Sequence, residues 1–187
     1  MTTILLIKAH LRIAMFFVVA MSGVAGAHAA DFQYNKSENS IQMKGRIFAG
    51  DGLIFRSLLR SHPQIETVEL SRSVGGEYTS SLEISMEIKK RGLNTVSSNY
   101  CRSGCAYIWL AGATRKVIGP TNPEIHLPYA DATREALPKL THAWLDALGL
   151  SSAFAHAVVR SVGPNNNFVK LTPEFLTKFG AFRKQDA

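Results

Sequence analysis

Two stretches of this 187-residue chain put chemically useful groups at a turn that leads into a helix. Cys101-Arg102-Ser103-Gly104-Cys105 sets a serine hydroxyl between two cysteines, just ahead of an apolar run from Cys105 to Ala111. Ser71-Arg72-Ser73-Val74-Gly75-Gly76 ends in paired glycines ahead of a helical pattern from Glu77 to Arg91. The first N–H groups of a helix lack intrahelical partners and point at whatever lies in front of them, so such turns suit an oxyanion. Ser103 would lie beside the Gly104 N–H, and Gly75-Gly76 lets the backbone approach a ligand with no Cβ in the way. A hydroxyl nucleophile with two such donors is the equipment of acyl transfer. The plainer readings are a serine that caps a helix and a glycine pair that turns the chain.

The other reactive side chains narrow the field. The histidines beyond residue 30, at 62, 126, 142 and 156, are isolated, and neither C-x-x-C nor H-E-x-x-H occurs, so no metal is expected. Without a G-x-G-x-x-G or Walker-type loop, neither dinucleotide nor nucleoside triphosphate chemistry is expected, and no cofactor is implied. Cys101 and Cys105 are spaced so that a residue in the turn and one a helical turn later fall within the roughly 4.4 to 6.8 Å of a disulfide. Two buried thiols packing under the turn are the favoured alternative, and a cysteine nucleophile is a third.

The N-terminus has an address of its own. Lys8 and Arg12 precede an apolar run from Ile13 to Val24, followed by Ala25-Gly26-Ala27-His28-Ala29-Ala30. This pattern predicts a secretory signal peptide over residues 1–29, cut after Ala29, because the run is short for a membrane span of about 20 residues. Residues 30–187 then form one domain in a periplasmic or secreted setting, with no stable membrane span after cleavage. The chain carries 21 Lys and Arg against 14 Asp and Glu, a formal net charge of +7, but its basic residues are scattered and export removes it from nucleic acid, which is not expected as a partner. At 46% hydrophobic and 19% charged the composition is that of a globular protein and excludes disorder.

Periodicity supplies the elements that must hold these turns. A period-two strand is predicted over Ser40 to Ile47 after a polar stretch from Asp31 to Asn39, then a short amphipathic helix carrying Ile54, Phe55, Leu58 and Leu59. Strands follow at Thr67 to Leu70, Leu93 to Ser97, Lys116 to Ile118 and Glu124 to Leu127. Helices are expected over 77–91, 105–111, 134–148, 151–162 and 173–179, the last opened by Thr172-Pro173-Glu174. Strands alternating with helices imply an α/β fold with a mainly parallel sheet.

Read as one string, four motifs stand in order: Ser71-Arg72-Ser73-Val74-Gly75-Gly76, Cys101-Arg102-Ser103-Gly104-Cys105-Ala106, Leu110-Ala111-Gly112-Ala113-x-Arg115 and Ile125-His126-Leu127-Pro128. Over roughly Ile41 to Gly180 this resembles the proteolytic subunit of Clp protease and its small exported bacterial relatives, within the ClpP/crotonase superfamily. The resemblance implies repeated strand-strand-helix units and a serine hydrolase, a peptidase acting on a peptide or protein substrate, with a homo-oligomer open. It makes Ser103 the nucleophile, His126 the general base, and the N–H groups of Gly76 and Gly104 the oxyanion hole. The chain departs from the family at Arg72 and Val74, where the Clp subunit has Asn and Pro. It also has Asn165-Asn166-Asn167-Phe168 where the Clp subunit carries the aspartate that orients the histidine. Asn166 is therefore the candidate orienting residue, with Asp131 and Glu174 as unplaced carboxylates. The rival readings are a catalytically inactive ClpP-like module that holds peptides by strand addition, and a crotonase-type acyl-thioester enzyme, which would not need Ser103 and His126 together.

Overall fold

The structure, a computed structural model, describes residues 29–130, 133 and 135–181. The predicted signal segment up to residue 28, Asp131 and Arg134 lie outside the described residues. After a first strand β1 (Asp31–Asn35), β2 (Ser40–Ile47) leads into helix α1 (Asp51–Ser61), β3 (Thr67–Gly76) into α2 (Tyr78–Arg91) and β4 (Asn94–Cys101) into α3 (Gly104–Leu110). β5 (Arg115–Ile118) completes a five-stranded sheet in the order β1-β2-β3-β4-β5, antiparallel only between β1 and β2. The result is the expected mixed α/β architecture with a mostly parallel sheet. Right-handed crossovers that always step the same way put α1, α2 and α3 on one face. There Ile41, Met43, Val68 and Leu70 are buried against Phe55, Ile84, Ile88 and Ile108.

The remaining elements form a second layer. β6 (Glu124–Ile125) pairs antiparallel with β7 (Val169–Lys170), and between them run α4 (Pro138–Ala147) and α5 (Ser152–Val162); α6 (Pro173–Lys178) follows β7. The helix expected from Arg134 starts instead at Pro138. Proline fixes its own φ but pushes Leu137 out of the α region, to ψ 76°, so Pro138 opens the helix rather than lying inside it.

Three further differences concern the strands. β1 lies in a stretch dismissed as polar, because only Phe32 and Tyr34 of its residues are apolar and β2 supplies the pairing that orders it. β3 and β4 run past their expected ends into the two turns of interest. Gly75 and Gly76 continue the ladder opposite Arg46 and Ile47 rather than closing a loop. A Cβ at Gly76 would come within 2.0 Å of the Ile47 carbonyl oxygen, so this glycine serves close strand approach. The Arg72 bulge, at φ 51°, lets the strand bend between Ser71 and Ser73 before resuming beside Cys101.

Candidate active site

Ser103 occupies the corner between β4 and α3 with φ 55° and ψ −125°, a backbone region that residues with a Cβ seldom adopt. Several bonds hold it there. Its N–H donates to the Glu124 carbonyl at 2.8 Å, and the Arg102 N–H donates to the Ser73 carbonyl at 2.9 Å. The Arg102 guanidinium pairs with the Glu124 carboxylate at 2.6 Å. Cys101 and Cys105 are joined by a disulfide with Cα atoms 5.2 Å apart, which corrects the expectation of two free thiols. Because α3 starts at Gly104 itself, its first turn carries Cys105 back over the end of β4. Every residue of α3 is buried, so the serine stands on a rigid support.

The short β6–β7 sheet delivers the partner. His126 directly follows β6, and its Nε2 lies 2.7 Å from Ser103 Oγ. Asn166 and Phe168 precede β7, so the pairing of Ile125 with Val169 brings them to the same ring. The Phe168 ring centroid is 4.7 Å from that of His126 and the Tyr129 centroid 5.8 Å. From beneath, the buried Tyr107 hydroxyl donates to the His126 carbonyl at 3.1 Å and lies 3.2 Å from Thr141 Oγ1. Burial among these rings holds the His126 imidazole below its ordinary pKa, because the charged form loses solvation.

Asn166 decides which ring nitrogen carries the proton. Its Oδ1 accepts from the Leu127 N–H at 2.9 Å and its Nδ2 donates to the Leu127 carbonyl at 3.1 Å. This two-point pairing with the backbone fixes which end of the amide is nitrogen. The same Nδ2 lies 3.2 Å from His126 Nδ1, so Nδ1 accepts and a neutral ring carries its proton on Nε2, facing Ser103. An aspartate at this position would impose the opposite tautomer.

Opposite the serine, the paired glycines press against its turn. A Cβ at Gly75, whose φ is 77°, would meet the Gly104 nitrogen at 2.5 Å and the Arg102 carbonyl oxygen at 2.6 Å. Gly76 and Gly104 therefore bring backbone nitrogens to one spot beside Ser103. The site opens into a cavity of 790 Å³ whose walls include Arg46, Phe48, Tyr78, Tyr129, Trp144 and Phe168.

No protein-family model matches this chain, and no curated protein matches it in sequence. Its backbone, however, superposes on solved proteases. A serine-to-alanine mutant of the 1510-N membrane-bound stomatin-specific protease aligns with a TM-score of 0.53 at 19% identity, over 77% of this chain and 76% of that one. A lysine-to-alanine mutant of the same protease, in complex with a substrate peptide, gives 0.53 and 19% over 77% and 72%. An asparagine-to-aspartate mutant of ClpP1 from Listeria monocytogenes gives 0.54 and 16% over 78% and 89%. The fold is ClpP/crotonase-like.

Within that fold Ser103, His126, Asn166, Gly76 and Gly104 converge, and all five line the cavity. Glu174 stands in the first turn of α6 and does not line it. Sequence reasoning passed over Tyr107, which sits in a run read only as a core helix. It also missed Phe168, although it follows the asparagine run, and Glu124, which immediately precedes the Ile125-His126-Leu127-Pro128 motif. The signal for Glu124 and Arg102 was their opposite charge beside two singled-out motifs.

Proposed function

We propose that this chain is an exported serine hydrolase that cleaves peptide bonds, with Ser103 as nucleophile and His126 as general base. The observation that carries the reading is the 2.7 Å contact between Ser103 Oγ and His126 Nε2 at the start of a buried helix, opening on a lined cavity. The ClpP/crotonase-like fold supports it, as does the neighbour solved with a substrate peptide. The sequence of residues 1–29 supports export.

In this mechanism Ser103 Oγ attacks the scissile carbonyl carbon while its proton passes to His126 Nε2. The oxyanion of the tetrahedral intermediate accepts hydrogen bonds from the Gly76 and Gly104 N–H groups. Collapse breaks the C–N bond, and the leaving amine takes the proton from His126. His126 then takes a proton from a water that attacks the Ser103 ester, and gives that proton to Oγ as the C–O bond breaks. Before the first step the ring proton must shift from Nε2 to Nδ1, since only then can Nε2 accept. Asn166 disfavours that shift, so turnover is slow.

The Asn166 amide beside His126 supports one second reading, a ClpP-like module that retains peptides without cutting them. Incubation of the purified protein with a mixed peptide library separates the two. Hydrolysis that Ser103→Ala abolishes supports the hydrolase; peptide retention without cleavage, unchanged by Ser103→Ala, establishes the module.

A further inference from the structure

Asp51 is the first residue of α1 and is only 1% exposed, yet it carries an ionisable carboxylate. Its Oδ2 accepts from two backbone donors, the Ala30 N–H at 3.0 Å and the Phe48 N–H at 2.8 Å. Among the described residues the ion pairs join Arg56 and Arg91 to Glu87 and Arg102 to Glu124, and none involves Asp51. Besides these donors only the positive end of the α1 dipole faces this buried carboxylate, and a full cation beside it would offset its burial further. The nitrogen already touching it belongs to Ala30, itself 5% exposed, whereas Ala29 before it is exposed. Ala29–Ala30 is the bond at which the sequence predicts signal removal.

We propose that cleavage after Ala29 creates the missing cation: the new α-ammonium of Ala30 forms a buried ion pair with Asp51 and thereby locks a wall of the active-site cavity. Hydrolysis of the Ala29–Ala30 amide by a signal peptidase adds one water, leaving a carboxylate on Ala29 and an amine on Ala30 that is protonated at neutral pH. The ammonium stays on the nitrogen that already bonds Asp51, so no chain movement is needed. The consequence reaches the cavity through a single oxygen. Asp51 Oδ2 also holds the Phe48 N–H, and Arg46, Ile47, Phe48 and Ala49 line the cavity beside Gly76. Nearby, the Gly50 N–H donates to Ser80 Oγ and the Glu77 N–H donates to the Ile47 carbonyl, tying the same turn to the start of α2. Processing therefore completes the site's scaffold rather than merely releasing the protein.

The inference rests on the export reading, and the test separates the two. The full chain is expressed for export, the N-terminus of the exported protein is sequenced, and the Ala30 α-amine is acetylated with limiting acetic anhydride over a range of pH. A pairing carboxylate raises the amine's pKa, so reactivity should appear only above the ordinary value of about 8. Asp51→Asn keeps an acceptor for both N–H groups but removes the charge, and acetylation at pH 7 should then quicken about ten-fold, one pKa unit's worth. An N-terminus other than Ala30 overturns the processing step. With Ala30 at the N-terminus, a wild-type amine that titrates at its ordinary value overturns the ion pair alone, and this needs no variant to fold.

Discussion

Replacing Asn166 by aspartate tests whether the resting histidine is held in the wrong tautomer. In the wild type the amide gives a proton to the Leu127 carbonyl at 3.1 Å and aims at His126 Nδ1 at 3.2 Å. Aspartate can only accept, so Nδ1 must carry the proton and Nε2 becomes free to take one from Ser103. The matching change in a serine triad is worth about 10⁴ in turnover, or about 5.5 kcal/mol. Against that, the Leu127 carbonyl loses its donor and faces a carboxylate oxygen, a penalty of about 1–3 kcal/mol. That penalty falls on resting enzyme and transition state alike, so the expectation is a gain of up to about 10⁴ in the rate at which a fluorophosphonate acylates Ser103, with stability lowered by about 1–3 kcal/mol. Fluorescent labelling time courses read the rate, and imidazole ¹⁵N NMR reads which nitrogen is protonated. An unchanged rate, or a wild-type ring already protonated on Nδ1, refutes the tautomer argument.

Other consequences can be measured on the same material. Wild-type labelling should depend on a neutral His126; because burial lowers its pKa, the active form persists as pH falls, and the labelling midpoint should lie below the ordinary histidine value of about 6.5. Chemical denaturation of a Cys101→Ser/Cys105→Ser double variant should show a loss of about 2 kcal/mol, the loop-closure figure for so short a ring. Gly76→Ala should abolish labelling or folding, since its Cβ would meet the Ile47 carbonyl oxygen at 2.0 Å; soluble, fully reactive protein would contradict the close approach. Tyr107→Phe leaves the His126 carbonyl without that donor and should lower stability by about 1–2 kcal/mol, as read by thermal melting.

The turns that hold the site were legible because their chemistry is local. Gly75-Gly76 and Ser103-Gly104 show in the sequence as breaks between a strand pattern and a helix pattern. The histidine was readable only through the order of four motifs, since nothing local to Ile125-His126-Leu127 says that a two-residue strand 44 residues later will pair with it. That pairing, Ile125 with Val169, is non-local and only two residues long, so periodicity could not announce β7. The extensions of β3 and β4 were hidden for the opposite reason. Glycine is a turn signal in sequence, and only the approach of Ile47 reveals that Gly76 is needed inside a ladder. The tautomer was also beyond the sequence, because Asn166 could be named as the orienting residue but its amide direction is set by the Leu127 backbone.

The central claim is that Ser103 is a nucleophile activated by His126, and intact-protein mass spectrometry after fluorophosphonate treatment tests it most directly. The account predicts one slow adduct, mapped by peptide digestion to Ser103, and its loss in His126→Ala as complete as in Ser103→Ala, because members of a catalytic unit act together. A folded wild-type protein that gains no adduct at Ser103, or gains it equally in His126→Ala, would contradict the claim.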